Sequence, residues 1–167
     1  MCLLSIIKHA METPQDTAPQ ISALNDLIRI NNDRITGYKK RMVITLDDDL
    51  DFLFSQFIYQ SQQNVDELTD YILLLGGVPA DGNCLSGKFY HSWTDFRSLS
   101  YQQDRQTILD YCEYGEDVAK SAYQKALEGT DFAWNKKIAI VLARQLDDLK
   151  SCHRLIKGLC DGSANAA

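Results

Sequence analysis

Over four long stretches of this chain, apolar residues recur at steps of three and four with polar residues on the opposite side, the signature of amphipathic helices. The clearest stretch begins at Asp104, which is placed to cap it, and Ile108, Cys112, Gly115, Ala119, Ala122 and Ala126 draw its stripe through to Leu127. A first helix is predicted over 20–43, with Leu24, Leu27, Ile28, Ile35, Tyr38 and Met42 facing inward and Arg34, Lys39, Lys40 and Arg41 complementing its C-terminal dipole. A second runs to Leu75. Asp47, Asp48, Asp49 and Asp51 favour its start, and Leu50, Leu53, Phe54, Phe57, Ser61, Asn64, Leu68, Tyr71 and Ile72 form its stripe. The last runs from Trp134 to Leu159, with Ile138, Val141, Leu142, Gln145, Leu149, Cys152 and Ile156 buried.

The connections set the topology. Few residues join the first helix to the second, or the third to the fourth, so each pair is expected to form an antiparallel hairpin. Between the hairpins lies 76–103. Gly76, Gly77 and Pro79 stop the second helix, and Trp93, Phe96 and Leu99 at three-residue steps predict a short helix within the connection. A segment of that length can run the full height of a bundle. The expected architecture is therefore all-α: a ferritin-like four-helix bundle over 20–160, two antiparallel hairpins joined by a long crossover. Residues 1–19 are expected to be a flexible leader and 161–167 a small polar tail. The run MCLLSIIKHA lacks the basic start and cleavage site of an export signal, and Met11 stands as an alternative start.

Composition narrows the partners. A net charge of −6 and a pI near 4.9 argue against nucleic acid and anionic membrane, both of which select clustered Lys and Arg. No apolar run reaches the ~20 residues a membrane-spanning helix needs. Five cysteines without tight spacing fit reduced thiols in a cytoplasmic protein better than a disulfide framework.

The interior chemistry centres on polar residues that the helical period turns inward. These are Asn31 and Tyr38, Ser61 and Asn64, Glu116 and Tyr123, and Gln145 and His153, two from each helix. An unpaired carboxylate there is costly, so Glu116 requires a partner, with His153, Gln145 or a tyrosine hydroxyl as candidates. One reading is a satisfied hydrogen-bond network that fixes helix register. The other is an interior pocket for one metal ion or small ligand, with Glu116 and His153 as the first candidate ligands and Glu113 as the third. A di-iron site of the bundle type needs two Glu-x-x-His pairs. Lys150 stands three residues before His153, and the second helix offers Gln60, Ser61, Gln63 and Asn64 in place of ligands. Cys84, His91, Cys152, His153 and Cys160 lack zinc-site spacing, adjacent Cys152 and His153 diverge on their helix, and GGVPADGNCLSG is no phosphate loop. No catalytic residue and no cofactor are assigned.

The runs LNDLIRINNDRITGY, LLLGGVPADG, GKFYHSWTDFRS and CEYGEDVAKSAYQKAL, with Gln145 and His153 on the last helix, resemble a bacterial family of ferritin-like four-helix bundles catalogued as a domain of unknown function. The resemblance implies the bundle fold and a bacterial cytosolic protein, without implying a ferritin's activity. The favoured function is a non-enzymatic interaction or stress-related bundle. Phe52 and Tyr59 point away from the core stripe, so the crossover and a homodimer are expected to share in covering them.

Overall fold

Four α-helices and no strand make up the described residues of the chain, which are 17–82, 104–129 and 133–164 of a computed structural model. They are α1 (Ala18–Met42), α2 (Asp48–Leu74), α3 (Arg105–Glu128) and α4 (Lys136–Ala164). Their ends follow local chemistry. The Asp104 carboxylate accepts from the Thr107 backbone N–H at 2.9 Å and caps α3. Gly76, at φ 77°, closes α2: its N–H reaches the Leu73 carbonyl and that of Gly77 reaches Ile72. A Cβ on Gly77 would sit 2.7 Å from the Ile21 side chain, so glycine is needed where the chain turns over the start of α1.

Two helix limits differ from expectation. α1 begins at Ala18, because Pro19 in the first turn gives up an N–H that has no helical partner anyway. α4 continues to Ala164, past Leu159 and into the expected tail, because neither Gly158 nor Gly162 takes the positive φ that ends α2 at Gly76. The leader up to residue 16 and the short helix expected around Trp93, Phe96 and Leu99 lie outside the described residues.

Side-chain contacts fix the topology. Thr17 at the start of α1 meets the Leu75 carbonyl at the end of α2, so this pair is antiparallel. Trp134 donates to the Ala126 carbonyl and Lys157 pairs with Glu113, which makes α3 and α4 antiparallel. Arg105, at the start of α3, pairs with Asp47 and Asp49 at the start of α2. α2 and α3 are thus parallel, and α2 ends at the opposite end of the bundle from the start of α3. The described beginning of the connection between them lies on α1, where Asn25 holds the Val78 carbonyl and the Ala80 N–H, and Asn32 donates to the Gly82 carbonyl.

The interior has an apolar cluster at each end. One gathers Leu24, Leu27, Ile72, Ala119 and Leu142, and the other Tyr38, Leu50, Phe54, Cys112 and Ile156. Between them the helices present polar residues. The buried face of α1 is broader than its apolar stripe implied, because α1 packs against both α2 and α3. Arg34 and Arg41, read from the sequence only as cations that complement the C-terminal dipole, are 0% and 1% exposed on the α3 side, whereas Ile35 and Met42, placed on the inward stripe, are half-buried.

Candidate functional site

Glu116 is the charged residue at the middle of α3, and it is fully buried. Its partner is Arg34 of α1. The Arg34 Nε and Nη2 donate to Glu116 Oε1 at 3.0 and 2.8 Å, and the Tyr38 hydroxyl donates to the same oxygen at 2.5 Å. Arg34 Nη1 donates to Ser61 Oγ at 2.8 Å, and the Ser61 hydroxyl donates in turn to the Phe57 carbonyl at 2.8 Å. Tyr38 is held in place by Phe54 and Phe57, whose rings lie 5.0 and 5.4 Å away. Three donors converge on one carboxylate oxygen. The other, Oε2, is buried and accepts no hydrogen bond among the described residues.

The electrostatics follow from burial and from this pairing. Burial, the largest single influence, would lower the pKa of the Arg34 guanidinium, but the Glu116 carboxylate and its hydrogen bond, with Tyr38 and Cys152 beside them, together hold the group above its ordinary value. Burial and then the same carboxylate push the Tyr38 hydroxyl well above the usual tyrosine range, against the pull of Arg34. Cys152 of α4 donates to Gln60 Oε1 at 3.2 Å, and burial raises its thiol to about 11 despite the nearby Arg34. That thiol is protonated at neutral pH and is a poor nucleophile. Arg41, one turn beyond Tyr38, stacks over the Tyr111 ring at 5.6 Å.

A neutral layer lies one helical turn away. Asn31 donates to the Leu27 carbonyl at 2.8 Å and to the Tyr123 hydroxyl at 2.7 Å, Tyr123 donates to Gln145 Oε1 at 2.8 Å, and Asn64 donates to Asn31 Oδ1 at 3.3 Å. Gln145 Nε2 then donates to Glu67 at 2.8 Å, and Glu67 also pairs with Arg144 at the surface. All four helices contribute to this chain of donors and acceptors.

Seven of the eight inward polar residues read from the sequence are buried in these two layers; His153 is the exception. It lies at the rim, with Nε2 3.3 Å from Asp117, and Glu113 pairs with Lys157 nearby. The candidate ligands Glu116, His153 and Glu113 are therefore not brought together, and no group of three or more His, Cys, Asp or Glu able to hold a metal ion occurs among the described residues. Cys84 and His91 lie outside those residues. The sequence reading missed Arg34. It stands three residues after Asn31 and four before Tyr38, a spacing that puts it on the same face as these two inward residues.

Two solved structures share the fold. Ferritin-like, di-iron carboxylate proteins from Bacillus anthracis align over 87% of this chain and 97% of theirs, with a TM-score of 0.67 and 19% identity. A conserved hypothetical protein from Mycobacterium tuberculosis aligns over 84% of this chain and 89% of its own, with a TM-score of 0.66 and 11% identity. No curated protein matches the sequence. No helix among the described residues is long and apolar enough to cross a membrane. A family model described as "Domain of unknown function (DUF2383)" matches residues 20–129, from α1 through α3, and the chain belongs to that family.

Proposed function

We propose that this protein is a ferritin-like bundle that has an internal ion pair in place of metal chemistry and works as a non-enzymatic interaction protein through its surface. The observation that carries this reading is the guanidinium of Arg34. It occupies Glu116 Oε1 with two hydrogen bonds and supplies, from the chain itself, the positive charge that an interior carboxylate requires. The di-iron group named for the Bacillus anthracis proteins does not fit the donors gathered around Glu116: its own carboxylate, already paired with Arg34, and a tyrosine, a serine and a protonated thiol. The neutral layer supports the same reading, since its hydroxyl and amides are bound to one another and to Glu67.

A second reading, one ion or small ligand at Glu116, draws on the bare Oε2. Elemental analysis of tag-free protein separates the two. The expected result is iron, manganese and zinc well below one per chain, with a melting temperature unmoved by a chelator. A stoichiometric metal that is lost in Glu116→Ala would overturn the proposal and favour the second reading.

A further inference from the structure

An interaction protein is recognised through its surface. Phe52 and Tyr59 of α2 stand seven residues apart on one face, 67% and 63% exposed. The described part of the long connection, to Gly82, is seated on Asn25 and Asn32 of α1 and does not cover them. From Phe52 to Val65 the chain carries no charged residue, in a protein in which 24% of residues are charged, while Asp51 and Asp66 bound that run. Exposed aromatics among serine and glutamine, without charge, are the composition of an interface core.

The charge pattern selects the occupant. A basic partner would be recognised through the carboxylates that dominate this acidic molecule, and this strip has none. A second copy carries the same net charge of −6, and on this helix the run between Asp51 and Asp66 is where it can approach without setting carboxylate against carboxylate. We infer that the Phe52–Tyr59 face of α2 pairs with the same face of a second copy about a two-fold axis passing near Gln56. In such a self-complementary contact each Phe52 meets the partner helix near its Tyr59. A crossing angle of roughly 50°, common for packed helices, carries the acidic ends of the two copies apart.

This inference deepens the interaction reading and rests on it, yet the two fail separately: bound metal would sink that reading without changing the oligomeric state, and a monomer would leave the metal content as it is. The test is light scattering of the full chain from about 1 to about 100 µM, where a micromolar complex passes from monomer to dimer. A wild-type dimer is expected, together with a Phe52→Glu/Tyr59→Glu variant that keeps its helical circular dichroism and binds itself at least about a hundredfold more weakly, as loss of aromatic anchors does. Should that variant misfold, Gln56→Cys replaces it, and oxidation is expected to link two copies well above the wild-type background. A monomeric wild type, a dimer that survives the double substitution, or a Gln56→Cys chain that fails to link would each overturn the proposal. The first of these would assign the face to the connecting segment or to a different protein.

Discussion

The two polar layers of the bundle meet the same demand in different ways. In the neutral layer, Asn31, Asn64, Tyr123 and Gln145 each give or receive within a chain that ends at Glu67 and Arg144 on the surface. In the charged layer, Arg34, Tyr38 and Ser61 surround Glu116, and the bonds to the carboxylate crowd onto one oxygen while its neighbour is bare. Neutral partners lose little if one hydrogen bond lengthens, because each remaining group is a dipole. A buried charge has no such tolerance, because its desolvation cost is large and only its counter-charge offsets it. The charged layer is thus the more brittle of the two and the stronger determinant of which residues of α1 and α3 face each other.

Substitutions should separate the layers in that order. Arg34→Met leaves Glu116 buried without its cation and is expected to lower the unfolding free energy by about 3–5 kcal/mol, read from the urea midpoint. Tyr38→Phe removes one charge-assisted hydrogen bond and leaves both Arg34 donors in place, for a loss of about 1.5–3 kcal/mol. Tyr123→Phe strands Gln145 Oε1 in the neutral layer and should cost about 1–3 kcal/mol. A Tyr123 loss exceeding that of Arg34 would reverse the ranking of the layers. His153→Ala touches only a rim pair with Asp117 and should change stability by less than about 0.5 kcal/mol. An effect of several times that size would return His153 to the interior network.

Alkaline titration sharpens the same contrast. Both buried tyrosines are held above the ordinary value of 10.0, chiefly by burial, so the folded state favours their neutral form. The stability this confers is complete below the unfolded tyrosine value and is lost as pH rises beyond it toward the folded values. Unfolding free energy should therefore fall steadily above about pH 10, and more gently in Tyr38→Phe and Tyr123→Phe. Tyrosinate absorbance recorded alongside should show these two phenols ionising only with unfolding; early ionisation would mean that water reaches them in the fold.

Much of the fold is written as period and punctuation. Most stripe residues of α2, α3 and α4 return as buried residues, with Leu53, Tyr71, Ala122 and Ala126 half-buried, and the cap at Asp104 and the stop at Gly76 both form as their chemistry requires. The hairpins were legible because their connections are short. The interior polar set was legible too, since position along a helix fixes direction whatever the side chain. What could not be read was which group answers Glu116. Helical spacing gives direction within one helix but not the level at which two helices meet, so Arg34 on α1 and Glu116 on α3 could be matched only in three dimensions. Of the three candidate partners His153, Gln145 and a tyrosine hydroxyl, the tyrosine reaches Glu116, through Tyr38, while Gln145 belongs to the neutral layer and His153 falls at the edge, where Asp117 takes it. Arg34 carries no comparable sign of pairing in the sequence, where it stands among the cations at the C-terminal half of α1 and arginine is seldom fully buried.

The central claim is that Arg34 and Glu116 are each tolerated in the interior only because of the other, and a double-mutant cycle tests it directly. Arg34→Met and Glu116→Leu are each expected to destabilise by about 3–5 kcal/mol, while the double substitution, an apolar pair of similar bulk that takes only the Glu116 acceptor from the Tyr38 hydroxyl, should lie within about 3 kcal/mol of wild type, less than either single loss. That outcome gives a coupling energy of several kcal/mol between the two sites. Single losses that simply add in the double variant would contradict the account, because the two side chains would then act independently and the interior charge of Glu116 would have to be answered by something else.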